Sequence, residues 1–199
     1  APLPAEKKHM SIRHKLCEYG TGIPSILTIL FGAAYGSVNT FIAMMASEVG
    51  IENAGLFFIV GTIFVFISRP FGGRIFDSKG GFWVILPGGI LYLIGLGILV
   101  SAQSLTVLLV ASVFYGFGGG LLLPSLMTWM LNVVTPDRRS GASATFYNML
   151  DIGTSSGIIL LGSVAGSIGY VNMYYYVIGV MVIFIAFFMF NHFVLQKKV

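Results

Sequence analysis

Six apolar runs, at roughly 22–46, 53–72, 82–102, 104–134, 138–166 and 171–195, set the limits on what this chain can become. A spanning helix needs about 20 mainly apolar residues, and each run reaches that length. Charged residues make up only 9% of the chain, against about 25% in soluble domains. So little charge cannot cover a water-facing surface, and lipid must be the solvent. Strands of a membrane barrel alternate apolar and polar residues over ~10-residue segments. "GGILYLIGLGILV" and "MVIFIAFFMF" are apolar on every face. The expected fold is all-α, a polytopic six-helix transmembrane bundle. Residues 1–20 read as a polar arm or interdomain linker and 21–199 as the membrane domain. The connections are short, so consecutive helices are expected to be antiparallel neighbours. The chain starts at Ala1 with no apolar signal region, and reads as processed or as a piece of something longer.

The charges sort by side. All eleven Lys and Arg lie before the first run (Lys7, Lys8, Arg13, Lys15), around the second connection (Arg69, Arg74, Lys79), at the fourth (Arg138, Arg139) and after the last run (Lys197, Lys198). The alternate connections, "SEVGIEN", "SAQSL" and "GSIGYVN", hold no cation and two acids, Glu48 and Glu52. The positive-inside rule then places both termini in the cytoplasm. These cations anchor topology against anionic headgroups. They form no basic stripe with interleaved aromatics, so nucleic acid is not an expected partner. A single cysteine, Cys17, excludes an internal disulfide or a Cys-based metal cluster. No cofactor or metal is expected.

Glycines concentrate inside the runs, most densely in "YGFGGGLLLPS". A P-loop needs a Lys after its glycines at a turn into a helix, and none follows. Gly116, Gly118, Gly119 and Gly120 are read as small residues that let helix backbones approach. Pro124 in the same run removes one backbone hydrogen bond and is expected to kink it. Gly153, Gly157 and Gly162 read the same way. "TPDRR" announces a helix start, with Thr135 as cap and Pro136 in first position. A Tyr-Gly pair recurs in the first and fourth runs, a faint sign of a three-plus-three repeat.

Of the seven acids, Asp151 alone lies deep within a run. It is about fifteen residues past Pro136, or about 22 Å along a helix. A carboxylate at that depth costs several kcal/mol unless paired, hydrated or protonated. The expectation is a proton or substrate site, set against a buried acid held by packing partners such as Ser155. Tyr147 and Asn148 share its helical face. Tyr35, Asn39 and Tyr115 are the other midspan polar candidates. Taken singly, each of the five reads more readily as packing or a helix–helix hydrogen bond, and together they read as a polar, aromatic stripe for an amphipathic ligand.

"RPFGGRIFDSKGG" gathers Arg69, Arg74, Asp77 and Lys79 in one short connector between apolar runs. Gly73, Asp77, Lys79 and Gly80 resemble the cytoplasmic signature of the major facilitator superfamily. Ser78 and Gly81 stand where that pattern usually has basic residues. The "ENAGLFFIVGTIFVFISRPFGGRIFD" stretch, the entry "TPDRRSGASATFYNMLDIGTSSG" and the basic arm are similar to the C-terminal half of drug- and metabolite-efflux members. The resemblance implies that the connector is a conformational latch. In that latch Gly73 permits close helix approach, and Asp77 and the cations make contacts that break as two halves rock. An Asp near a helix N-terminus gains about 0.3–1 kcal/mol from the dipole. The resemblance also implies a substrate cavity between two six-helix halves, so this chain needs a missing half, a separate partner or a second copy of itself.

The expected function is therefore one half of a secondary transporter in the bacterial cytoplasmic membrane. It would work by alternating access, with proton-coupled efflux of a small organic molecule. A membrane enzyme is not expected, since His9, His14 and His192 are all terminal and Asp151 has no paired acid. A six-helix scaffold or regulatory subunit without transport is the alternative.

Overall fold

The structure, a computed structural model, describes residues 20–195. The 1–20 arm therefore lies, except for Gly20, outside the described residues. Six helices follow: α1 (Gly22–Glu48), α2 (Leu56–Lys79), α3 (Phe82–Val100), α4 (Leu105–Asn132), α5 (Arg139–Ile168) and α6 (Tyr170–Phe190). All six are long and apolar enough to cross a membrane. A short 3₁₀ turn, Pro136–Arg138, leads into α5, and a π-helical turn, Asn191–Leu195, follows α6. Thr135 precedes that entry as expected, but its side chain makes no capping hydrogen bond.

One boundary differs from the sequence reading. The second apolar run was expected to end near residue 72, yet α2 continues through Pro70 to Lys79. Hydropathy marks where a helix leaves hydrocarbon, whereas backbone hydrogen bonding can continue past that depth. The charged signature is thus mostly helical, with only Gly80 and Gly81 between α2 and α3.

Helix neighbours also differ from the expectation. The most extensive pairs are α3 with α4, α1 with α5 and α2 with α4, while α1 and α2 share no packed seam. Small residues decide this, because lipid offers no hydrophobic drive for one helix pairing over another. A methyl group at Gly116 would strike the carbonyl of Gly61, and one at Gly120 the hydroxyl of Ser68, both on α2. At Gly118 it would lie 2.7 Å from the carbonyl oxygen of Gly88 on α3. The glycines of α4 therefore seat it between two helices at once. Gly119 meets only the ring of Tyr92, at 3.6 Å, and belongs to neither seam. On the other side of the bundle, Gly32 and Gly36 of α1 face Gly153, Thr154 and Leu150 of α5, and Gly157 meets Ala33.

The core fills the space among these seams with Phe31, Phe57, Tyr92, Phe146, Tyr174 and Phe184, all fully buried. Spans α1 and α4 are the most enclosed, and α2 and α5 the least. Helices α2 and α5 thus present most of the unpartnered surface.

Candidate functional site

Between α1 and α4 the structure gathers three of the expected residues. The Asn39 side-chain amide donates to the Tyr35 carbonyl at 2.8 Å and to the Tyr115 hydroxyl at 2.9 Å. Both Tyr-Gly pairs seen in the sequence therefore meet at one asparagine. Tyr115 packs its ring 4.9 Å from Tyr92 and 5.2 Å from Phe57, and Phe31 bridges Tyr92 and Tyr35. Tyr92 and Tyr174 were not singled out from sequence, because each sits in an apolar run where a tyrosine looks like packing. Both are fully buried, and neither hydroxyl has a hydrogen-bond partner among the described residues.

Asp151 lies apart from this cluster. It falls near the middle of α5, as its sequence depth implied, but its side chain is exposed on the outside of the bundle. The alternative of an acid buried among packing partners is thereby corrected. The reason is helical phase: Leu150, Gly153, Thr154 and Gly157 form the seam with α1, and position 151 is turned about 100° from position 150. Tyr147 is 50% exposed and Asn148 half-buried on adjoining positions. Among the described residues no hydrogen bond or ring contact links this stripe to Asn39 or Tyr115. The six polar candidates thus form two groups rather than one.

At the cation-bearing end, Arg69, Gly73, Arg74 and Asp77 are all exposed on the last turns of α2, Lys79 closes the helix, and Gly80 turns the chain at φ 88°. The Arg69 guanidinium sits 5.4 Å over the ring of Phe66. Among the described residues Asp77 forms no ion pair with these cations. It also occupies the last turn of α2, where its own helix dipole opposes it, so a favourable dipole must come from another helix. A methyl group at Gly73 would meet nothing, whereas one at Gly72 would lie 3.0 Å from Leu121. Within this chain Gly72 makes the close approach. Arg69, Asp77 and Gly73 line a hollow of about 260 Å³ with Pro124, Ser125 and Thr128 of α4. Helix α4 runs unbroken through Pro124.

The opposite end holds a contact that sequence reasoning missed. A Glu48 carboxylate oxygen, at the end of α1, accepts the backbone N–H of Tyr170 at 2.6 Å. It caps the start of α6 from across the bundle. The two residues stand 122 positions apart, and no local pattern announces such a cap. Among the described residues no group of three His, Cys, Asp or Glu gathers to hold a metal.

Comparison with known proteins agrees with this architecture. A family model described as Major Facilitator Superfamily matches residues 25–198. The chain is 26% identical over 187 residues to the proton-coupled antiporter flippase LtaA of Staphylococcus saprophyticus, covering 92% of this chain and 44% of that protein. It is 28% identical over 111 residues to multidrug resistance protein 3 of Bacillus subtilis, covering 56% of this chain and 22% of that protein. With the staphylopine export protein of Staphylococcus aureus the identity is 25% over 155 residues, covering 75% and 38%. The chain spans less than half the length of each of these relatives.

Proposed function

This chain belongs to the Major Facilitator Superfamily, a family of membrane transporters rather than enzymes, and on that premise we propose that it is one half of a secondary transporter. The half exports a small organic molecule by alternating access, coupled to protons. The observation that carries the proposal is Asp151, an exposed carboxylate midway along a spanning helix. Facing hydrocarbon, an acid there costs about 3 kcal/mol. A polar cavity or a second set of helices over α5 removes that cost. The open faces of α2 and α5, and relatives of about twice this length, support a second six-helix unit over them. That unit is the rest of a longer chain, a separate chain or a second copy.

In this reading Asp151 takes up and releases the proton, with Tyr147 and Asn148 beside it. Tyr35, Asn39 and Tyr115 contact substrate from the α1–α4 side. Arg69, Gly73, Arg74, Asp77, Lys79 and Gly80 form the cytoplasmic latch, with both termini on that side of a bacterial plasma membrane. The relatives' names, a proton-coupled antiporter and an export protein, motivate the coupling and the direction.

The test is transport in proteoliposomes under an imposed pH gradient, comparing the protein with Asp151→Asn. Gradient-driven flux falls to background in the variant while its thermal unfolding is unchanged. Equal flux in both would remove Asp151 from the mechanism. Absence of flux with any substrate, in the unaltered protein assembled with its second six-helix unit, would favour a non-transporting six-helix subunit.

A further inference from the structure

A cavity of about 440 Å³ opens at the cation-bearing end, away from the Asn39 and Asp151 groups. Four helix ends form it. Phe76 and Lys79 come from α2, Gly81, Phe82 and Ile85 from the start of α3, Trp129 and Asn132 from α4, and Phe188, Asn191 and His192 from α6 and its π turn. Its walls are aromatic: Phe82 stacks on His192 at 4.2 Å and on Phe188 at 5.9 Å, and Trp129 meets Phe188 edge-on.

Three features of this cavity favour an anion. Helix α3 begins here with no side-chain cap and no acid in its first turn. The Val84 N–H already donates to the Gly81 carbonyl, but the Phe82 and Trp83 N–H groups and the positive end of the dipole find no partner among the described residues. Lys79 is exposed and is the only Lys, Arg, Asp or Glu among the described lining residues. Asp77 lines the neighbouring hollow instead, with Phe76 shared between the two. The third feature is independent of the helix end. Asn191 is 4% exposed and lines the cavity. Its backbone N–H is held by the carbonyls of Phe187 and Phe188, but its side-chain amide makes no hydrogen bond to any described residue and is not sealed off, so it stays open to the cavity. A side-chain amide so deeply placed normally has a partner.

We propose that this cavity binds the phosphate of an anionic phospholipid. The phosphate lies between Lys79, the α3 N-terminus and the Asn191 amide, and the lipid's glycerol and upper chain lie on Phe82, Phe188 and Trp129. The setting selects a lipid over a free anion. The cavity stands where membrane helices end, and half its lining is apolar ring and aliphatic surface, which a bare phosphate would leave unused. Basic pockets between helix ends recognise headgroups in this way. The proposal is independent of transport, because its readout is binding.

The experiment uses the protein in lipid nanodiscs and reads Trp129 fluorescence, isolated as the difference between the protein and its Trp129→Phe variant. Chain-brominated phosphatidylglycerol and chain-brominated phosphatidylcholine are titrated separately as quenchers. Phosphatidylglycerol is expected to associate about fivefold more strongly, the ratio one lysine contributes near a charged surface. That preference disappears in Lys79→Gln, whereas Asn191→Leu, a variant of similar volume, weakens association of both lipids. Equal quenching by the two lipids, or a preference unchanged in Lys79→Gln, overturns the site. Displacement of the brominated lipid by inorganic phosphate alone overturns the lipid as occupant and assigns the site to a soluble phosphate.

Discussion

The chain reverses direction through nearly the same backbone twice. Gly80, after α2, has φ 88° and ψ 170°, and Gly169, after α5, has φ 87° and ψ 160°. Only glycine populates this region at low cost. Each turn delivers the chain directly into the next spanning helix, and each leaves that helix's first N–H groups facing the turn. At Gly169 the protein answers them itself, since Glu48 reaches from the end of α1 to the Tyr170 N–H. At Gly80 no described side chain does so, and the α3 start opens on the cavity beside Lys79 instead. One solution to a backbone problem thus gives a closed corner at the cation-poor end and an open one at the cation-rich end. A closed corner ties helices together, and an open one is free to receive something.

The largest expected effect tests the closed corner. Alanine at either glycine carries a backbone cost of about 1–3 kcal/mol. At position 80 the added methyl meets nothing, whereas at 169 it would lie 2.7 Å from a Glu48 carboxylate oxygen. Gly169→Ala should therefore destabilise the protein by more than Gly80→Ala, the excess being about 1 kcal/mol for the displaced cap. Thermal unfolding of the two variants in the same detergent measures it. Equal losses would mean that the Glu48 contact adds nothing.

A smaller effect sharpens the same point. Glu48→Ala removes the cap and should cost about 1 kcal/mol, near the middle of the range for helix caps. Glu48→Gln keeps an acceptor while losing the charge, and should cost about half that. Hydrogen exchange at the first turn of α6 should rise in the same order, and no change there with alanine would place the α6 start's stability elsewhere. The smallest effect belongs to the open corner. Lys79 is exposed and without an ion pair among the described residues, so Lys79→Gln should shift unfolding by less than about 0.5 kcal/mol. A larger loss would show that Lys79 already has a structural partner, and that the α3 corner is closed after all.

The two corners also show how far the sequence could be read. "SKGGF" and "SIGYV" both present glycine between apolar runs, so both turns were visible as turns. Which one is capped was not visible, because Glu48 lies 122 residues before Tyr170 and looked like one of two acids in an outer connection. The polar candidates divided in the same way. Midspan depth is a matter of counting along a run, and Asp151 lies near the middle of α5 as counted. Partnership depends on the phase of each helix against its neighbours. That phase joined Asn39 to Tyr115 and turned Asp151 outward, away from the α1 seam.

By itself the sequence determined that this protein is a six-helix membrane bundle of its family, and it marked which glycines could be packing sites. Those properties follow from local apolar length and from the small volume of glycine, which every stretch carries with it. The tertiary structure alone decided that α4 lies between α2 and α3, that α1 pairs with α5 rather than with α2, and that Glu48 closes α6 while α3 stays open. In lipid all apolar faces are nearly equivalent. The choice of neighbour then rests on backbone fit between distant segments, which no single stretch contains.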